Sequence, residues 1–271
     1  MTNRIDTQHT LIFAQISDLH VTVPGHACMG RVDTAGLLGT CVARLAALDP
    51  APHFVVASGD LVDIATAQAY AQLRTLLSPL SMPVYVIPGN HDDRDPLRAA
   101  FSDHLPRSGF LQYVVDADPL RLVFLDTLVP GQDGGELCDV RLGWLAEQLA
   151  EAPERPTVLV MHHPPFLTGV ANLDDMGLAG AEALARLLGR FPQVERILCG
   201  HLHRSIQVRW QGVLASVCPS TAHQVALDLR PHEALCYTLE PPGFQLHTWT
   251  AATGLVSHTL VTGRYPGPYS F

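Results

Sequence analysis

Five short segments carry residue types able to bind metal ions and move protons. They are Asp18-Leu19-His20, Gly59-Asp60, Gly89-Asn90-His91-Asp92, His162-His163 and Gly200-His201-Leu202-His203. Carboxylates and an asparagine carbonyl supply oxygen ligands, and imidazoles suit Zn, Fe, Co or Mn. Together Asp18, His20, Asp60, Asn90, His162, His201 and His203 offer seven donors, enough for two cations. The set divides into Asp18, His20 and His203 on one side and Asn90, His162 and His201 on the other, with Asp60 bridging. Each ion then has about four protein ligands and an open position or two, as catalysis requires. Two ions ~3.5–4 Å apart can clamp a phosphoryl oxygen and lower the pKa of bound water towards ~7, so that hydroxide becomes the nucleophile. His91 is surplus to coordination and placed to stabilise or protonate a leaving oxygen, with Asp92 holding its tautomer.

Donors so far apart in sequence meet only if regular elements release them at one edge. Each segment directly follows an apolar, β-prone run: 11–16, 54–57, 84–87, 157–161 and 197–199. Helical patterns intervene. Leu37, Leu38, Val42, Leu45 and Leu48 form one stripe over 34–48, and a second helix is expected at about 66–77, capped by Thr66. Asp95-Pro96 opens a short helix towards Phe101, and further helices are expected over 140–149 and 178–190. Residues 121–125 read as a strand ending at Asp126. From Ser205 the pattern turns β-rich, with strands expected over 207–210, 213–217, 224–229, 234–239 and 244–250, then an irregular Pro/Gly arm after Thr262. Alternating strands and helices followed by consecutive strands predict two stacked sheets with helices outside.

Taken singly, Asp18-x-His20 and Gly59-Asp60 are weak signals, and a lone histidine among 14 is more often structural. Gly89-Asn90-His91-Asp92 is stronger. All five, in this order and each after a strand, point to metal binding. His163 precedes Pro164-Pro165 and is expected to support the site rather than ligate, while Asp63 either caps the following helix or holds a ligand in place.

The 271 residues with 47% hydrophobic content suit one globular domain spanning 1–271. No uninterrupted apolar run reaches membrane-spanning length, and the polar N-terminus lacks the apolar core of a signal peptide, so a cytoplasmic protein without a membrane partner is expected. A formal charge of −9 argues against a nucleic-acid polymer as partner, although two cations would reverse the sign locally for a small anionic substrate. The six cysteines contain no C-x-x-C pair and are expected to be reduced thiols.

The ordered motifs over about residues 11–203 resemble the calcineurin-like metallophosphoesterases. The resemblance implies a four-layer α/β/β/α sandwich, here with a β-rich C-terminal extension, and a dinuclear metal site above the sheet edges. Met161-His162-His163-Pro164-Pro165, Cys199-Gly200-His201 and Thr221-Ala222-His223-Gln224-Val225 look more narrowly like bacterial glycerophosphodiesterases and class III cyclic-nucleotide phosphodiesterases. It places Asn90, His91 and His223 near the substrate. It also suggests a homo-oligomer assembled through the β-rich segment, about 204–222, and the arm, 262–271. Ser/Thr protein phosphatases carry Arg-Gly just after the second Asp of Gly-Asp-x-x-Asp and Glu after Gly-Asn-His, where this chain has Asp63-Ile64-Ala65 and Asp92. The missing arginine favours a phosphodiester over a dianionic monoester. The expected activity is therefore hydrolysis of small phosphodiesters, with a nucleotidase-like phosphomonoesterase and a non-catalytic scaffold as alternatives.

Overall fold

The computed structural model describes residues 10–230 and 233–270. Its first third holds β1 (Leu11–Ile16), α1 (Thr34–Ala46), β2 (Phe54–Ala57), α2 (Ala67–Leu77), β3 (Val84–Val86) and α3 (Arg94–Ala100). The middle holds β4 (Tyr113–Ala117), β5 (Leu120–Phe124), β6 (Gly135–Glu136), α4 (Asp139–Glu151), β7 (Thr157–Val160), α5 (Ala171–Asp174), β8 (Leu178–Ala179), α6 (Ala181–Leu188) and β9 (Val194–Cys199). Only strands follow: β10 (Ile206–Trp210), β11 (Val213–Val217), β12 (Gln224–Val225), β13 (Tyr237–Thr238), β14 (Gly243–Thr250) and β15 (Gly254–Val261).

Two mixed sheets carry the architecture, ordered β15-β14-β1-β2-β3 and β10-β11-β9-β7-β5-β4. Strands β1, β2 and β3 are parallel, as are β5, β7, β9 and β11. Side chains alternate across each strand, and that alternation sorts the apolar runs into layers. Leu11 and Phe13 face a cluster between the sheets with Val56, Phe124, Val160 and Leu198. Their neighbours Ala14 and Ile16 pack outward against Leu38, Leu45, Tyr70 and Leu97 from α1, α2 and α3. On the second sheet Val123, Leu159 and Ile197 pack outward against Leu145, Leu149, Leu184 and Leu187 of α4 and α6. Each such side chain contributes roughly 1.5–3 kcal/mol when fully buried. The result is the expected helix–sheet–sheet–helix sandwich.

Thr66 caps α2 as expected, its side chain accepting from Ala69 N. The β-rich C-terminal part adds to both sheets: β14 and β15 extend the first beyond β1, and β10 and β11 extend the second beyond β9. Three expectations need correction. The helix expected over 178–190 is α6 alone, because Leu178–Ala179 pairs with Gly135–Glu136 and Gly180, at φ 88°, turns the chain into the helix. The strands expected over 224–229 and 234–239 shrink to the two-residue β12 and β13, since their remaining leucines find no sheet and stay exposed. Strands β4 and β15 were not expected; polar residues at their exposed positions blur the apolar pattern. No helix among the described residues is long and apolar enough to cross a membrane.

Candidate metal centre

The carboxyl ends of β1, β2, β3, β7 and β9 open on one edge of the sandwich, the usual place for a site in parallel sheets. The turns there are unusual. Asp18, His20, Asp60, His201 and His203 have φ of 53°, 43°, 48°, 72° and 48°, in the left-handed region that L-residues avoid. Each costs about 1–3 kcal/mol and persists only where the surroundings over-determine it. Here the turns hold one another: Leu19 N and His20 N both donate to Asp60 O, at 2.8 and 3.0 Å. His201 N donates to Asp18 Oδ1 at 2.9 Å and Ser220 Oγ to Asp18 O at 2.8 Å. Glycine before a donor gives space for this crowding. A Cβ on Gly89 would fall on the Asp60 carboxylate, and one on Gly200 on the Ser17 hydroxyl.

The expected donors come together in two groups that share Asp60. In the first, ligand atoms of Asp18, His20, Asp60 and His203 all lie within 4.8 Å of one another. His203 Nε2 is 3.5 Å from Asp18 Oδ1, and His20 Nε2 is 3.6 Å from Asp60 Oδ2. In the second, His162 Nε2 is 3.4 Å from Asp60 Oδ2 and 3.2 Å from Asn90 Oδ1, and His201 Nδ1 is 3.1 Å from that same oxygen. Asn90 is half-buried and the other six are buried.

The outer nitrogens of these rings fix what the inner ones can do. A backbone carbonyl only accepts, so His162 Nδ1 must donate to Ser58 O at 2.8 Å, His203 Nδ1 to His223 O at 3.0 Å and His201 Nε2 to Met176 O at 3.2 Å. In the neutral rings the inward nitrogens are therefore lone pairs. His162 Nε2, His201 Nδ1 and the Asn90 side-chain amide thus converge on one point, where His162 Nε2 carries a proton only when the ring is charged. Asp18 Oδ2 is buried without a partner. A cation relieves the unpartnered Asp18 oxygen and takes the converging lone pairs, and this donor set fits two transition-metal ions.

Electrostatics agree. Burial disfavours charge on Asp60, yet His162, and after it His20 and His91, hold its carboxyl well below the usual range. Burial likewise opposes a charged His162, but Asp60 and Asp18 outweigh it and push its pKa up to about 9. Without metal, a proton on His162 does the cation's work. Burial, helped by His162, pushes His201 down to about 4. Burial, with His20 next, pushes His203 down to about 3. Both are thus neutral and ready to ligate. Burial raises the Asp18 carboxyl, Asp60 adds to the rise, and His162 opposes it.

The remaining expected residues divide. His91 is exposed at the rim, with Nδ1 2.8 Å from Asp63 O and its ring edge-on to His20 at 4.6 Å. Its tautomer is not held by Asp92, which corrects the sequence-based expectation. Asp92 is buried and turned inward, accepting from Gly89 N, Leu61 N and Tyr70 Oη at 2.9, 3.1 and 2.8 Å. The tight turn needs those amides tied down more than the exposed ring needs a carboxylate. Asp63 does not cap a helix; it accepts from Cys28 Sγ at 3.3 Å and lies 3.7 Å from His20 Nδ1. His163 has both ring nitrogens engaged, with Thr127 Oγ1 at 2.8 Å and Asp133 O at 3.1 Å, so it supports the site. His223 is buried beside His203, 4.6 Å between ring centroids, and its Nδ1 has no partner.

A cavity of about 350 Å³ opens over these groups, walled by Leu173, Met176, His223, Val225, Leu235 and Tyr237. Among the described residues no arginine lines it, and the chain contains no lysine. Residues 21–31 and 170–177 were expected as loops walling the pocket, and Cys28, Met29, Leu173 and Met176 come from them; the part contributed by Val225, Leu235 and Tyr237 was not foreseen. Leu173 and Met176 belong to a short helix and its following turn, whereas Tyr237 lies in a two-residue strand with no periodicity to mark it.

The model of one protein family, the calcineurin-like phosphoesterases, matches residues 11–205. The chain is 32% identical over 272 residues to the glycerophosphodiester phosphodiesterase GpdQ of Enterobacter lignolyticus, covering 96% of this chain and 95% of that one. It is 33% identical over 223 residues to the 3′,5′-cyclic adenosine monophosphate phosphodiesterase CpdA of Escherichia coli K12, covering 80% and 77%. Among solved structures, a dimetal phosphatase from Danio rerio superposes with a TM-score of 0.62 at 15% identity, covering 93% of this chain and 99% of that one. That last likeness concerns the fold.

Proposed function

Because the chain belongs to the calcineurin-like phosphoesterase family, we propose that it hydrolyses small phosphodiesters at the centre shared through Asp60. Glycerophosphodiesters and 3′,5′-cyclic nucleotides, the substrates named for its relatives, are the candidate classes. One observation carries the assignment: His162 Nε2 and His201 Nδ1 face Asn90 Oδ1 at 3.2 and 3.1 Å with every outward ring nitrogen already donating. Two divalent transition-metal ions bound there would supply Lewis acidity and a water of lowered pKa. Asp18, His20, Asp60 and His203 would hold one ion, and Asp60, Asn90, His162 and His201 the other.

The chain's own residues supply the rest. Asn90, half-buried at the rim, has its amide group within reach of a substrate oxygen. His91, exposed with Nε2 free of protein partners among the described residues and Nδ1–H held by Asp63 O, is positioned to protonate the leaving alkoxide from Nε2 when the ring carries both protons. His223 presents a neutral ring to the cavity, because burial pushes its pKa down to about 3. The apolar wall around Met176 and Tyr237 suits an organic alcohol and excludes water from one side. A diester carries one negative charge where a monoester carries two, and the lack of an arginine or lysine among the described residues of the wall favours the former.

Turnover of bis(p-nitrophenyl) phosphate against p-nitrophenyl phosphate, with metal content known, tests the assignment. Preference for the diester is expected. A large preference for the monoester would transfer the chain to the phosphomonoesterases, and a metal-loaded chain that cleaves neither would be a scaffold.

A further inference from the structure

Beneath the centre, a run of polar side chains crosses the otherwise apolar space between the sheets. Gln15 lies near the end of β1 in the first sheet and is fully buried. Its Nε2 donates to Ser58 Oγ at 2.9 Å and to Cys199 O at 2.9 Å. Ser58 directly precedes Gly59-Asp60 and its carbonyl receives His162 Nδ1. Cys199 ends β9 of the second sheet and directly precedes Gly200-His201. One carboxamide therefore bonds both sheets at the last residues before two donor-bearing turns.

An amide in this place could point either way, and only one orientation puts its N–H groups on Ser58 and Cys199. The neighbouring contacts decide it. Arg196 is a donor only, so its NH1 gives a proton to Ser257 Oγ at 3.0 Å. Cys199 O only accepts, so Gln15 Nε2 faces it and Oε1 is left for His247 Nε2. Ser257 Oγ, able to donate or accept beside Arg196, therefore donates to the vacant His247 Nδ1 at 2.8 Å. His247, kept neutral by burial, must carry its single proton on Nε2 and give it to Gln15 Oε1 at 3.3 Å. Every donor from Arg196 to Cys199 thus runs in one direction. Gln15 and His247 are fully buried and Arg196 nearly so, where an unmatched donor or acceptor costs about 1–3 kcal/mol.

We propose that Gln15 is a positioning residue for the centre, fixing the Asp60 and His201 turns relative to each other, and that the Arg196–Ser257–His247 relay braces its amide in the direction the Cys199 carbonyl requires. This rests on the metal-centre assignment made above, and it adds residues that contact neither metal nor substrate. Two ions need their donors held to a fraction of an ångström across two separate sheets. A buried crosslink one step below the turns adds that constraint to the His162–Ser58 and His201–Asp18 bonds that already join the sheets there.

The test compares wild type with Gln15→Met, which keeps length and apolar volume but removes the amide. Mn²⁺ and Zn²⁺ affinities are measured calorimetrically, followed by kcat and KM at saturating metal. Partners that orient ligands are typically worth about 10–100-fold in metal affinity, so at least a tenfold loss at one or both sites is expected, with kcat falling more than KM rises. His247→Phe is expected to follow Gln15→Met, and His247→Gln, which can accept from Ser257 and donate to Gln15, to recover most of the affinity. Wild-type metal affinity in folded Gln15→Met would overturn the inference. Wild type that binds no metal would instead remove the centre itself. Should the variants fail to fold, ¹⁵N resonances of the histidine rings in wild type decide: a neutral His247 protonated on Nε2 supports the relay, and a proton on Nδ1 contradicts it.

Discussion

His162 Nε2 lies 3.4 Å from Asp60 Oδ2, and in the absence of metal this pair keeps a proton that neither group would hold alone in so buried a place. The pKa of His162 is raised to about 9 from 6.5, so at neutral pH the ring is charged until an ion replaces the proton. Metal uptake at pH 7 should release about one proton from His162, and affinity should rise about tenfold per pH unit towards pH 9. Calorimetry in buffers of different ionisation enthalpy measures this directly. Uptake with no proton release would contradict the pairing.

Removing the shared carboxylate should abolish the centre. Asp60→Ala and Asn90→Ala are expected to lower turnover by orders of magnitude while circular dichroism stays native, since both side chains sit at strand ends outside the apolar layers. Asp60→Ala should lose both ions, and Asn90→Ala chiefly the one between His162 and His201. Normal turnover in either metal-treated variant would refute these roles.

Asp92 gives a sharper contrast. Its carboxylate accepts from Tyr70 Oη, Gly89 N and Leu61 N, so Asp92→Asn leaves one of those donors facing an amide nitrogen. A loss of about 1–3 kcal/mol in stability is expected from the unmatched donor. The tautomer of His91, read from its ring ¹⁵N shifts, should stay unchanged, because Nδ1 of that ring meets Asp63 O. A changed His91 tautomer would restore the direct contact that the geometry denies.

His247 should leave its mark on acid stability, well away from the metal donors. Its folded pKa is lowered to about 3 from 6.5, chiefly by burial, with Arg196 and His258 adding to the effect. Between those values the unfolded chain binds the extra proton, so stability falls as pH drops below 6.5 and stops falling, for this group, near pH 3. At pH 5 the loss amounts to about 2 kcal/mol. Denaturant midpoints for wild type and His247→Gln, taken from pH 7 to pH 4, should converge as the pH falls. Parallel curves would show that His247 is not held neutral.

Much of this centre was legible in the sequence because its donors follow short, nearly continuous apolar runs of β-prone residues. Leu11 to Ile16 and Thr157 to Val160 declare themselves by composition, and Asp18 and His162 follow at once. What was hidden depends on where side chains turn. Asp92 looked like a partner for its neighbour His91, but the left-handed turn at Asp60 leaves amides nearby that claim the carboxylate first. Gln15 stood in plain sight as a polar residue inside an apolar strand, yet its meaning required Cys199, 184 residues away. The part of the apolar wall from Val225 and Tyr237 comes from segments too short to have a pattern.

The most direct measurement is a crystal structure of metal-reconstituted protein with anomalous scattering data collected at the edge of the added metal. Two peaks ~3.5–4 Å apart are predicted, one on either side of Asp60, the first beside Asp18, His20 and His203 and the second beside Asn90, His162 and His201. A single peak, peaks bound by other residues, or none at saturating metal would contradict the account.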